Sequence, residues 1–142
     1  MRNLRIYSID KKIPKKKLHH FVKLILADLK LSLSSLELNF INSDKIIEIS
    51  KQYLSHDYST DIITFNYSDN KHSIDGEIFI SVNDATENAE KYKVNYLEEI
   101  GRLIVHGVLH LIGFDDLTPD ERKKMKNQEN RLIKKFKFIL LR

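Results

Sequence analysis

Two histidines, His106 and His110, stand four residues apart inside the apolar run HGVLHLIGFDD, residues 106–116. On a helix this spacing stacks both imidazoles on one face, so both can aim a ring nitrogen at the same point. Leu103 falls on that face too, while Val108 and Leu111 point elsewhere into apolar packing. Two converging imidazoles suit zinc and similar ions, which take nitrogen donors at about 2.0–2.1 Å. The next helical turn cannot add a third donor without crowding. Gly113 lies where a helix stops in a left-handed residue, and the chain that folds back beyond it carries Asp115 and Asp116. Either carboxylate could complete the shell. Asp116 fits better, because six residues after His110 leave room for the reversal. A lone histidine on an apolar face is ordinarily a core residue. The combination of His, His at +4, Gly at +7 and carboxylate at +10 instead predicts a metal site.

A helix and a bend must hold these groups. Asn95 can cap the helix YLEEIGRLIVHGVLHLI, and Thr118-Pro119-Asp120-Glu121 reads as a capping box that opens a helix over 119–137. LRIYSI (4–9) and LELNFI (36–41) alternate as strands. DIITFNY (61–67) and GEIFISV (76–82) flank a polar turn and read as an antiparallel pair. Pro14 opens a helix over 14–31, with Leu18, Phe21, Val22, Ile25 and Leu29 on one face. Ser43 caps a short helix ending near Leu54, the polar loop SHDYST follows, and Asn83 caps DATENAEKYK. The order β-α-β-α-β-β-α-α-α predicts one α+β domain over 1–142, with a mixed sheet of about four strands and helices packed on it.

The 142 residues include no cysteine, which excludes disulfides and thiolate zinc sites and leaves imidazole, carboxylate or backbone to hold a metal. Charges run through the first seventeen residues, and the apolar stretch FVKLILADL is broken by Lys23 and Asp28. Neither a secretory signal nor a bilayer span is expected, and a cytoplasmic protein is. The net charge of +4 hides an asymmetry. Residues 1–30 and 121–142 each carry nine Lys/Arg against two acids, leaving six against sixteen between them. Such runs are ordinarily solvated helix faces; alternatively they form a basic rim for a polyanion beside an acidic, metal-binding middle.

The histidine spacing resembles that of the metzincin zinc proteases, H-E-x-x-H-x-x-G-x-x-H. Gly107 stands where their glutamate general base belongs, which argues against peptide hydrolysis. The resemblance is closer to the YbeY family of metal-dependent endoribonucleases, whose H-G-x-L-H-L-x-G-Y-D-H compares with H-G-V-L-H-L-I-G-F-D-D here. DYSTDIITF (57–65) resembles that family's D-Y-P-T-[ND]-V-L-S-F, and GEIFIS (76–81) its G-[DE]-I-x-I-[SC]; the likeness runs over roughly residues 35–135. It implies a single-strand endoribonuclease acting in 16S rRNA 3′-end maturation and ribosome quality control. It also implies one Zn2+, or another divalent transition ion such as nickel, on His106, His110 and Asp116. The ion would polarise a phosphoryl oxygen or activate water. The partners implied are RNA, especially rRNA or the small ribosomal subunit, and no membrane.

Two positions depart from the family. Asp116 replaces its usual third histidine, which adds a negative charge and lowers the Lewis acidity of the ion. Leu54 stands where the family usually has an arginine implicated in activity, and leucine cannot pair with a phosphate; either a nearby residue takes over, with His56, two positions on, the catalytic candidate, or catalysis is weaker and His56 is a loop histidine without a role. Tyr58 and Asp61 are candidate substrate-binding residues, and Tyr58, Phe65 or Tyr67 could stack an unpaired base. Strand packing is the ordinary fate of Phe65. Asp57 and Asp61 flank the loop that the family places over the metal, where either can also cap a turn. The alternative is a ribosome-associated binding factor whose metal is structural, held by a fourth protein ligand such as Asp115.

Overall fold

The computed structural model describes residues 3–54 and 60–142. Strands β1 (Leu4–Ser8), β2 (Ser32–Ile41), β3 (Ile62–Asn66) and β4 (Ser73–Ser81) form one mixed sheet in the order β1-β2-β4-β3. β1 and β4 run parallel to β2, and β3 pairs antiparallel with β4, as the hairpin pattern predicts. A parallel pair needs a crossover, and α1 (Lys15–Asp28) supplies the one between β1 and β2. The side-chain alternation of β2 is as expected, with Leu36, Leu38 and Phe40 buried on one face. The strand nonetheless starts at Ser32, ahead of its alternating segment. Ser32 and Leu33 pair with Ser73 and Ile74, so β2 and β4 lengthen together through backbone bonding that side-chain pattern does not report.

The other helices are α2 (Ser43–Ile49), prolonged by a π-helical turn at Ser50–Leu54, then α3 (Val82–Tyr92), α4 (Tyr96–Leu111), α5 (Pro119–Phe136) and α6 (Phe138–Leu141). Residues of α1, α4, α5 and α6 share one apolar core with β1, β2 and β4. A smaller cluster of Ile46, Ile49 and Ile63, with Phe65 and Phe79 against it, lies apart from that core. The single α+β domain expected from the element order is therefore the fold observed.

Several boundaries differ from expectation, each for a local reason. α1 stops at Asp28, before residue 31, because Lys30 adopts a left-handed φ of 57° and the Leu31 amide bonds back to the Leu26 carbonyl. Asn42, not Ser43, caps α2, its side chain accepting from the Lys45 amide. Ser81 caps α3, while the Asn83 side chain accepts from the Ser43 amide and so ties α3 to the start of α2. Asn95 caps α4 and Thr118 closes the capping box of α5, both as read from sequence. The sequence pattern does not mark the turn α6, which Ile139 and Leu140 bury in the main core.

α4 is the platform of the molecule. Ten of its sixteen residues are buried, so it is packed on nearly all sides and its side chains have little freedom to shift. Gly107 allows its approach to the sheet: a Cβ there would lie 2.8 Å from Ile78 Cδ1 and 3.0 Å from Ile62 Cδ1. The position that carries a general base in metzincins thus faces the sheet here.

Candidate metal centre

His106 and His110 lie on the last turns of α4, with side chains 19% and 24% exposed. The helix ends at Leu111 with Ile112 as its C-cap, and Gly113 follows with φ +101°, a conformation that an L side chain rarely adopts. The reversed chain brings Asp116 back over the histidines. Arg122 of α5 donates to the backbone carbonyls of Asp116 and Leu117, both at 3.3 Å, and pins this return.

The three predicted side chains converge. His106 Nε2 and His110 Nε2 are 3.0 Å apart, and Asp116 Oδ2 lies 3.8 and 3.6 Å from them. A tetrahedral ion with bonds of about 2.0–2.1 Å sets its donors about 3.3–3.4 Å apart, and the three separations bracket that edge. Two imidazole nitrogens and a carboxylate oxygen also match the donor preference of zinc and its neighbours. The residues present fit a divalent ion. Among the described residues no fourth His, Asp or Glu joins the group. A cavity of about 310 Å³ opens beside it, lined by Leu54, Thr60, Asp61, Ile62, Ile63, Thr64, His106, His110 and Asp116. Asp115 faces a different depression, with Phe114, Glu121 and Lys124.

Behind the histidines lies a network that the sequence reading missed. Glu129 of α5 is buried, and its Oε2 lies 2.5 Å from His106 Nδ1. With Nδ1 so engaged, Nε2 is left to face the cavity, an arrangement that orients a ligand imidazole. The other oxygen, Oε1, accepts from Arg102 Nη1 at 3.2 Å. Burial pushes the Glu129 carboxyl up, yet the bonds to His106 and Arg102 outweigh it and hold the group below the ordinary glutamate value. Arg102 also forks onto buried Glu99, with Nε to Oε1 at 2.9 Å and Nη2 to Oε2 at 2.6 Å. The signal for Glu129 was present: it shares the stripe of Met125, Leu132 and Ile133, where an acid has no reason to lie unless partnered.

Asp61 lines the cavity, and its Oδ2 accepts from Asn88 Nδ2 at 3.2 Å. Leu54 lines it too, and no lysine or arginine does so among the described residues. His56, Asp57 and Tyr58 lie outside the described residues. Phe65 packs edge-on against Tyr53 and Phe79, with ring centroids 5.5 and 5.9 Å away, which answers the stacking question in favour of strand packing. Tyr67 is 59% exposed, does not line the cavity, and donates to Glu77; that bond pushes its phenol up to about 12.

Comparison with known proteins follows the same lines. The family model described as Endoribonuclease YbeY matches residues 3–137. The chain is 47% identical to the Endoribonuclease YbeY of Parabacteroides distasonis over 94 residues, 66% of either chain. It is 37% identical to that of Bacteroides fragilis over 121 residues, 85% of this chain and 86% of the relative. With that of Azobacteroides pseudotrichonymphae the identity is 39% over 133 residues, 92% and 95% of the two chains. The solution structure of a Thermotoga maritima protein superposes with a TM-score of 0.68 at 23% identity, over 92% of this chain and 86% of that one, and so shares the fold. Matched by the family model over residues 3–137 and by a curated relative over 92% of its length, the chain belongs to the YbeY family.

Proposed function

We propose that this protein is a metal-dependent endoribonuclease that cleaves single-stranded RNA, with His106, His110 and Asp116 holding one divalent ion. The observation that carries the reading is the set of three donor atoms 3.0–3.8 Å apart beside an open cavity. Zinc is the ion the donors suit best, and a second transition metal such as nickel would find the same set. When bound, the ion supplies Lewis acidity toward a phosphoryl oxygen and toward water. The chain's own contributions are distinct from it. Glu129 keeps His106 oriented, Gly113 and Arg122 hold Asp116 in place, and the cavity walls leave one side of the group open to a phosphodiester. That open side favours a catalytic over a structural role, since Asp115 does not reach the group as a fourth ligand. A peptidase is disfavoured because residue 107 is a glycine pressed against Ile78.

Substrate binding rests on charge. α1 packs against α5 and α6, Lys17 Nζ donates to the Arg142 carbonyl at 2.6 Å, and Arg131 and Lys135 reach Asp28 of α1. The two basic segments therefore pack together, and they are proposed to hold the RNA backbone between them. Asp61, on the cavity wall, is proposed to bind substrate; Tyr58 is proposed as a second substrate-binding residue and His56 to take the part of the family's arginine, both from the sequence alone. The natural substrate is proposed to be rRNA of the small ribosomal subunit, acted on in 16S 3′-end maturation in the cytoplasm. No helix among the described residues is long and apolar enough to cross a membrane.

Protein loaded with one equivalent of zinc should cleave single-stranded RNA, and a chelator should stop it; cleavage of casein with RNA left intact would replace this reading by the peptidase. Asp116→Asn should release the metal far more readily than Asp115→Asn, and equal retention would show that the third ligand is another group.

A further inference from the structure

Arg102 lies one helical turn before His106 on α4 but touches neither the cavity nor the three donor atoms. Its side chain is 27% exposed, and it joins two carboxylates that are 2% and 4% exposed, Glu99 and Glu129. Glu129 is thus gripped from both ends, Oε1 by Arg102 and Oε2 by His106. Glu99 in turn takes both arms of the guanidinium fork and a bond from Asn88 Nδ2 at 3.1 Å, and the same amide holds Asp61 on the cavity wall. A continuous chain of side chains, Asp61–Asn88–Glu99–Arg102–Glu129–His106, runs behind the metal centre and meets the cavity at both ends.

We propose that Arg102 is a positioning residue for the metal: by holding Glu129 Oε1 it fixes the carboxylate that orients His106, and so sets the affinity of a site it never contacts. This rests on the metal-site reading above. A carboxylate held at both oxygens cannot rotate about its terminal bond. Held at one, it can, and the Nδ1 side of the imidazole loses its fixed partner. Lysine cannot replace the guanidinium, because a single ammonium does not reproduce the fork across two carboxylates.

The sign of the effect separates positioning from charge. Arg102 is a cation near a cation site, so removing it would tighten metal binding if only Coulomb's law mattered. Loss of positioning loosens it. The experiment is Co2+ binding to the purified, metal-free full-length protein, read by visible absorption and by chelator competition, with thermal unfolding of each metal-free variant alongside. Glu129→Gln should weaken Co2+ binding about 10–100-fold. Arg102→Met should weaken it about tenfold and alter the cobalt spectrum, yet add little in a Glu129→Gln background, because its action passes through Glu129. Should Arg102→Met fail to fold, Arg102→Lys serves, since it keeps the charge and is still expected to lose several-fold in affinity. Tighter or unchanged binding in the folded Arg102 variants, or an Arg102→Met effect of equal size with and without Glu129, overturns the proposal and leaves Arg102 as a tie between α4 and α5. Wild-type protein that binds no Co2+, or binds it equally well after His110→Ala, removes the metal-site reading itself and this inference with it.

Discussion

On its cavity side, His106 meets Asp116, a partly exposed group on a lightly held loop. The Asp116 side chain is 44% exposed, and its loop is fastened by two bonds from Arg122 to backbone. On the opposite side every oxygen of Glu99 and Glu129 has a partner, and neither side chain is more than 4% exposed. The two sides of one imidazole therefore answer to different constraints. A partly exposed side chain can change type at small cost to the fold, which is compatible with aspartate at the position where the resembling motif has histidine. A buried charge cannot lose its partner without leaving another charge stranded in low dielectric.

That contrast can be broken in order of expected effect. Arg102→Met strands two buried carboxylates and should lower stability by about 3–5 kcal/mol in urea unfolding. His110→Ala, on the open side, should cost about 1 kcal/mol or less. If both variants lose similar stability, the two sides do not differ as described. For activity the ranking reverses, since His110→Ala removes one of the three proposed donors outright and should reduce RNA cleavage by about a hundredfold or more at saturating zinc. Leu54→Arg sharpens the picture of the open side. Leu54 is 40% exposed at the cavity, so a guanidinium there can reach a bound phosphate and should raise kcat/KM for RNA by about tenfold. No gain would mean that this wall does not face the scissile phosphate.

The smallest effect belongs to Asp28, whose carboxylate meets Arg131 at 2.8 Å and Lys135 at 2.7 Å, both partners being well exposed. The bonds to Arg131 and then Lys135 hold its carboxyl below the usual 3.8. A depressed carboxyl stabilises the fold fully above its unfolded value and loses that contribution as pH falls through its lower folded value. Wild type should thus exceed Asp28→Asn by about 1 kcal/mol or less at neutral pH. The margin should shrink below about pH 4. A margin that grows on acidification would contradict the pairing.

Much of the site was legible as sequence because its parts are local. Histidines four apart share a helix face whatever surrounds them, a Thr-Pro-Asp-Glu box starts a helix by its own hydrogen bonds, and Gly113 tolerates a φ of +101° that marks the bend. Strand alternation likewise exposed the half-buried strands, since one buried face imposes a period of two, and the order of elements predicted the mixed sheet. The parts decided only in three dimensions involve partners distant along the chain. Glu129 reaches His106 across 23 positions, and Asn83 bonds Ser43 across forty, leaving the α3 cap to Ser81. The separation of Asp115 from Asp116 depended on the path of the loop that Arg122 secures. Short-range periodicity and capping are properties of neighbouring residues; which buried acid meets which base is settled by packing, where an unpaired charge is too costly to keep.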